Sequence, residues 1–358
     1  MTSARHYLDH NATAPLSRGA LAAWVEASAL IGNPHSPHGE GRAAAARLRE
    51  DRQRAASVLR CAPAELVFTS GASESNAAVL RGLPRADRPL VLGSAVEHPS
   101  VLHWLHHLIP VRPSGALDTD ALVAMLDAHA GRVAVVSTMA ANNETGVLFN
   151  VPEILSICRG AGVLLHVDAT QLPGRGALEA LDGVDYVTFS AHKLGGPRGV
   201  GALVARGPLP SLIGGGPQER GRRAGTVNVP AIAGFAAALE GLQPTMPAAR
   251  DTLEAAAVEL GAQVVGGTLP RLPNTTSLLF DIPGDVLVMA LDLDGIAAST
   301  GSACASGASE VSHVLTAMGL TGRPVRFSLG PDSDVGPAIE ALRRVVPRVR
   351  AAMEVSCA

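Results

Sequence analysis

Lysine is all but missing from this chain. Of its 29 Lys and Arg residues, Lys193 alone is a lysine, and every other fixed positive charge is a guanidinium. Aromatic residues make up only 3%, and no Lys/Arg-rich run alternates with them, so the stacking and charged surface of a nucleic-acid binder is not expected. The formal net charge is −3, with the two signs mixed along the chain rather than blocked. No apolar run approaches membrane-spanning length, and the start, Met1 to His10, has no hydrophobic signal segment. A cytoplasmic protein without a membrane partner is expected. The four cysteines, Cys61, Cys158, Cys304 and Cys357, lie far apart with no Cys-x-x-Cys pair. That spacing argues against both a zinc site and a disulfide framework, and no metal is expected.

What is present is enough apolar material for a large core, 47% of 358 residues, which suits one large domain and a smaller one. Short apolar runs recur at 65–69, 89–93, 133–137, 163–167, 186–189 and 200–204, and each suits a strand buried on both faces. Helical stretches fit between them, such as the Ala/Arg/Glu-rich 41–60, which predicts an α/β domain on a mostly parallel sheet. This large domain is expected over 16–245, ending near Gln243-Pro244. Residues 246–358, joined by 1–15, are expected to form a smaller α+β domain, with helices over 248–260 and 336–353 and two or three strands. There is no internal repeat and no low-complexity linker.

Five places carry chemistry. The first is Ser190-Ala-His-Lys193 with the glycines after it, directly following a buried strand. A lysine there, beside backbone that a ligand can approach closely, suits a Schiff base, which needs a held and deprotonated amine. An isolated lysine in a Gly-rich turn is ordinarily a solvated surface residue, yet exchange for arginine was tolerated everywhere else in this chain. The second is Asp168, at the end of strand 163–167. It is either a helix cap or the carboxylate that keeps a pyridine nitrogen protonated. Third, Thr69 to Asn76 brings small residues to a helix start, which suits a phosphate; the plainer reading is a capping box. Fourth, His98 in Glu97-His98-Pro99 could stack on a ring and move protons, although one histidine among 12 is more often structural. Fifth, Cys304 sits in a Gly/Ser/Ala stretch that no core would choose, which predicts an accessible thiol able to take up sulfur. Cys61, Cys158 and Cys357 lack such surroundings.

Together these residues resemble the cysteine desulfurases of the class V aminotransferase group. The resemblance is carried in order by Tyr7-Leu-Asp-His-Asn-Ala-Thr13, Gly32 to His38, Asn142-Asn-Glu-Thr-Gly146, Ser190-Ala-His-Lys193, Gly214 to Thr226 and Gly301-Ser-Ala-Cys304, and it covers nearly the whole chain. Gly-Ser-Ala-Cys with a long loop after it is similar to the branch serving iron–sulfur cluster assembly and tRNA thiolation. The resemblance implies a type I pyridoxal-phosphate fold with a seven-stranded sheet, and a homodimer whose active site is shared between subunits. Lys193 is implied as the Schiff-base lysine, Asp168 as partner of the pyridine nitrogen, and Gln171 and Asn143 as neighbours of the phenolic oxygen. Ala72, Ser73, Ser190 and His192 are implied to hold the phosphate, with Thr226 reaching in from the second subunit. His98 would stack on the ring, and Asn33 and Arg326 would bind the substrate carboxylate. The implied reaction converts L-cysteine to L-alanine and leaves sulfur on Cys304 as a persulfide. A protein acceptor then carries it toward iron–sulfur clusters or tRNA or DNA thio-modification.

Pro217 interrupts the Gly-Gly-Gly-Gln-Glu run usual in that group, and Ser73 stands where Thr is commoner. A selenocysteine lyase or an aminotransferase of the same class is the nearest rival reading, and a non-catalytic sulfur-relay protein is a more distant one. An aminotransferase has no use for an accessible cysteine, and a relay protein has none for the set Lys193, Asp168 and His98.

Overall fold

The computed structural model of the protein describes residues 5–243, 247–301 and 312–357. Cys304 lies outside the described residues. Among the described residues are twelve strands: β1 (His6–Tyr7), β2 (Leu66–Thr69), β3 (Leu90–Ser94), β4 (His107–Ile109), β5 (Val133–Met139), β6 (Leu164–Asp168), β7 (Tyr186–Ser190), β8 (Gly201–Ala205), β9 (Gln263–Val264), β10 (Thr275–Leu279), β11 (Ile296–Ala297) and β12 (Val325–Ser328). A seven-stranded sheet has the order β2-β8-β7-β6-β5-β3-β4. Its pairs are parallel from β7 through β6, β5 and β3 to β4, whereas β8 runs antiparallel to both β2 and β7.

The apolar runs are continuous because the sheet is covered on both sides, and the period of two in a strand sorts their side chains. In β3, Leu90 and Leu92 join one cluster, with Ile232 and Phe235 of helix Val229–Glu240, while Val91 joins Val79 and Leu80 of helix Ala72–Gly82 on the other face. In β8, Ala202 and Val204 face the first cluster, and Leu203 and Ala205 the second.

A separate apolar cluster gathers the C-terminal elements. Leu253 of helix Pro247–Glu259, Leu287 and Leu291 of helix Gly284–Leu293, Phe327 of β12 and Leu342 of helix Gly336–Cys357 pack there. Leu8 of the N-terminal segment belongs to the same cluster, and β1 pairs in parallel with β11. The antiparallel sheet β12-β10-β9 completes this part.

The six apolar runs all became strands of the large sheet, within a residue or two of their expected ends. β4 is the strand that the pattern did not suggest. His107-Leu-Ile109 is only three residues long, and Leu108 is exposed, so it offers neither a continuous run nor a clear alternation.

Candidate active site

The C-terminal ends of the parallel strands, together with β2, share one edge of the sheet. Open α/β sheets bind their ligands at that edge, because the loops leaving the strands meet there while helix N-termini point at it. A cavity of about 560 Å³ lies here. Its walls come from Ser70 to Glu74 after β2, His98 after β3, Ala141 and Asn143 after β5, Asp168, Thr170 and Gln171 at the end of β6, and Ser190, His192 and Lys193 at the end of β7. Asn11 to Thr13 and Arg326 of β12 contribute from the other cluster. Residues far apart in the chain are thus brought together because each stands just beyond a different buried strand.

Lys193 reaches into this space. Its Nζ donates to the carbonyls of Asn11 at 2.5 Å and Ala12 at 3.0 Å. Burial first, and the Arg326 and Arg175 guanidiniums next, pull its pKa down to about 8, against the opposing influence of Asp168 and Asp9. An amine in that range carries a far larger neutral fraction near physiological pH than an ordinary lysine does, and the neutral form is the nucleophile.

Asp168 is buried, and both of its oxygens are held. Oδ1 accepts from the Thr170 backbone N–H at 3.0 Å and Oδ2 from the Asn76 amide at 2.9 Å. The same Asn76 amide nitrogen donates to Ser100 Oγ at 3.0 Å, and Ser100 Oγ lies 2.8 Å from His98 Nδ1. His98 Nδ1 also accepts the Ser100 backbone N–H at 3.2 Å, so the ring carries its proton on Nε2. Burial holds the His98 pKa below its ordinary value, with Asp168 opposing and Lys193 and His313 reinforcing. A hydrogen-bonded chain therefore runs from Asp168 through Asn76 and Ser100 to a neutral His98.

The phosphate end can be judged from the backbone. Helix Ala72–Gly82 begins after Gly71, which gives no side-chain cap. The capping-box reading is therefore not met at its first position, although Glu74 reaches back to the Ser70 N–H at 2.8 Å. Gly71 has φ 155°, and a Cβ on Gly201 would lie 2.7 Å from Gly71 Cα. Only glycine at 201 lets this turn settle against β8 and present the first N–H groups of the helix to the cavity, beside Ser73 and Ser190. His192 lies next to it, with Nδ1 3.2 Å from Thr13 Oγ1. Its pKa is pushed down to about 4 by burial, then by Lys193 and Arg198, so it is a neutral hydrogen-bonding group.

Two buried polar atoms of the cavity's residues, Thr170 Oγ1 and Arg326 Nε, have no hydrogen-bond partner among the described residues. Unsatisfied buried groups are uncommon in folded proteins, and here they mark where a polar ligand would be met. Arg326 otherwise donates to the Asn143 carbonyl at 3.0 Å and to Asp9 Oδ1 at 2.6 Å. The residues present fit pyridoxal phosphate: an amine, a buried carboxylate, a neutral imidazole and a helix N-terminus line one cavity of suitable size.

Two of the expected residues lie apart. Asn33 is exposed, its Oδ1 accepting from the His35 N–H at 3.0 Å, and Thr226 is exposed at the end of segment 214–226; neither lines the cavity. That segment is tied down from both sides. Glu219 Oε1 meets Arg52 at 2.5 Å, its Oε2 accepts the Phe68 N–H at 2.9 Å, and Arg223 pairs with Glu74 at 2.9 Å. Just past Pro217, Glu219 and Arg220 adopt φ 47° and 58°. Thr170, Asn76 and Ser100 were missed by sequence reasoning. Asn76 and Ser100 did lie at the edges of segments singled out as sites, but nothing in the pattern joined the two.

The match to the aminotransferase class-V family model spans residues 6–336. A cysteine desulfurase of Cereibacter sphaeroides is 40% identical to this chain, covering 97% of each protein. Among solved structures, a NifS-like protein superposes with a TM-score of 0.86 at 32% identity, covering 97% of this chain and 99% of its own. A structure of SspA in complex with cysteine gives 0.81 at 28% identity, covering 92% and 100%. Among the described residues no helix is long and apolar enough to cross a membrane. With its lysine, carboxylate and imidazole at the sheet's C-terminal edge and this extent of match, the chain belongs to the class-V aminotransferase family of pyridoxal-phosphate-dependent enzymes.

Proposed function

We propose that this protein is a cysteine desulfurase: L-cysteine and the Cys304 thiol are converted to L-alanine and a Cys304 persulfide. The observation that carries the reading is the chain's one lysine, its amine pKa drawn down to about 8, in a cavity shared with a fixed buried carboxylate. Pyridoxal phosphate, when bound, supplies the electron sink that makes bonds at the substrate's Cα and Cβ breakable.

The chain's own groups do the rest. Asp168, held by Asn76 and the Thr170 N–H, keeps a proton on the pyridine nitrogen. Gln171 and Asn143 would hold the side of the phenolic oxygen, and His98 would hold the face of the ring. Ala72, Ser73, Ser190 and His192 would receive the phosphate, while Arg326 would meet the substrate carboxylate through the Nε that has no partner among the described residues. Lys193, as a neutral amine, moves protons at Cα. Cys304 as thiolate attacks the substrate sulfur; the Cβ–Sγ bond breaks, its electron pair stays with the carbon skeleton, and protonation there gives alanine. Atoms balance with no outside oxidant, because the sulfur leaves already joined to the Cys304 sulfur.

Two apolar clusters support a division into a large domain over 16–245 and a small one from 1–15 and 246–358, with the cavity between them. The exposed Thr226, on a segment anchored by Arg52 and Glu74, suits a residue that serves the site of a second copy in a homodimer. The persulfide's acceptor is read as a cytoplasmic protein of iron–sulfur cluster assembly or of tRNA or DNA thio-modification.

Mass spectrometry after incubation with L-cysteine tests the central claim. One added sulfur is expected, mapped to Cys304 and absent in Cys304→Ala, which keeps the cofactor's visible absorption band. Sulfide turnover unchanged in Cys304→Ala would refute it. Cys61 and Cys158 should carry none, since burial pushes both thiols up to about 12.

A further inference from the structure

Arg175 stands behind the lysine, in the turn that follows β6, and does not line the 560 Å³ cavity. Its guanidinium serves four acceptors. Nη1 donates to Asn11 Oδ1 at 3.1 Å and to Gln171 Oε1, and Nη2 donates to the carbonyls of Lys193 at 2.8 Å and His10 at 3.3 Å. All four acceptors are neutral, and Arg175 forms no ion pair among the described residues. A part-buried cation without a counter-charge is costly, and burial, then Arg326, brings even this guanidinium down to about 10.

The placement explains the cost. A planar fork of five donors is the one side chain able to hold that many acceptors in a fixed relation. Its bond to Gln171 Oε1 sets that amide's orientation, so that Nε2 donates to the Asn11 carbonyl at 3.0 Å. That carbonyl is one of the two on which the Lys193 amine rests.

We propose that Arg175 is a positioning residue for the reactive amine. It fixes the Lys193 backbone, the Gln171 amide and segment 10–11 in one frame, and stations an uncompensated positive charge behind the lysine. The charges facing that amine are Asp168 of β6, Asp9 before the Asn11 strap, Arg326 of β12 and Arg175 itself, with His98 and His192 beside them. The two aspartates favour the ammonium form and the two arginines oppose it. Arg326 is committed to Asp9 and to substrate, which leaves Arg175 as the cation dedicated to the lysine. The proposal leans on the reading of Lys193 as the cofactor's lysine only for its purpose, since the effect on the amine is measured without turnover.

The chain's lack of other lysines makes the test direct. On the full chain freed of cofactor, an amine-directed reagent is followed at Lys193 by peptide mapping as pH is varied, with the α-amine mapping separately. The parent's labelling midpoint is expected near 8. In Arg175→Met it should rise by about half a unit to one unit, lowering the labelling rate at pH 7 roughly three- to tenfold. Arg175→Lys keeps the charge but offers fewer donors, and the amine that it adds is followed on a separate peptide from that of Lys193. Its midpoint should stay with the parent while kcat falls, because the frame is loosened. Should Arg175→Met not fold, Arg175→Gln asks the same question with part of the hydrogen bonding retained. A midpoint unmoved by loss of the charge overturns the proposal. A parent midpoint in the ordinary lysine range would instead overturn the reading of Lys193, so the two failures are distinguishable.

Discussion

Gly201 should set cofactor affinity without touching the cofactor. A methyl group added there would lie 2.7 Å from Gly71 Cα, 2.7 Å from the Phe189 carbonyl oxygen and 2.9 Å from Gly71 C. All three are backbone atoms and cannot rotate away, so one of the two segments must move by roughly 1 Å to regain ordinary contact. The sheet side is fixed, because Phe189 pairs with Ala202 inside a fully buried ladder. The turn at Gly71 is left to yield, and with it the N–H groups at the start of helix Ala72–Gly82. Overpacking of this kind costs about 1–3 kcal/mol. Charged to the bound state, that is a loss of about 5- to 150-fold in pyridoxal-phosphate affinity. Equilibrium titration of the apo-protein with pyridoxal phosphate measures it. Gly160→Ala, at the end of helix Val151–Gly160, is the control, since an added Cβ there meets nothing within 4 Å and should leave binding unchanged. A Gly201→Ala affinity within twofold of the parent would refute the view that backbone contact with β8 sets the phosphate turn.

Removing the Ser100 hydroxyl cuts the chain from Asp168 to His98, so Ser100→Ala should cost about 1–3 kcal/mol of activation free energy and displace the acidic limb of the kcat profile; an unaltered profile would count against the relay. Glu219→Ala leaves Arg52 buried and charged with the Phe68 N–H unpaired, and should cost about 3–5 kcal/mol in urea unfolding, much of it restored by pairing Glu219→Leu with Arg52→Met. If the single substitution costs under about 1 kcal/mol, that ion pair does not anchor segment 214–226. Because the Lys193 pKa lies near 8 when folded and near the ordinary lysine value of 10.5 when unfolded, the unfolded chain binds the extra proton between those values. The apo-protein should therefore gain stability over Lys193→Met as pH rises from about 8 toward 10.5; a falling difference over that range would show the sign to be wrong.

The site was legible in the sequence wherever a functional residue closes a buried strand. Asp168, Ser190 and Lys193 follow apolar runs that only a covered sheet accommodates, so their positions along the chain already told which edge of the sheet they share. The capping-box reading at 69–76 missed because Gly71, with φ 155°, caps the helix in place of a serine; its close approach to β8 in turn requires glycine at 201, more than a hundred residues away. Arg175, Asn76 and Thr170 could not be read at all. Each is an ordinary polar residue whose role depends on what lies across the cavity wall, and no local period encodes that. β4 escaped for a different reason, since a three-residue strand with an exposed leucine pairs through its backbone alone.

Asn11 is the point where the fold's distant parts are knotted together. Its N–H meets Ser328 Oγ, its amide meets Thr275 Oγ1 and the Asn143 carbonyl, its Oδ1 receives Asn274 and Arg175, and its own carbonyl receives Gln171 and Lys193. The carbonyl on which the reactive amine rests is thereby set by groups of β10 and β12 as well as by its own segment. A disturbance in the small C-terminal sheet has a short route to the lysine, through the side chain of one asparagine.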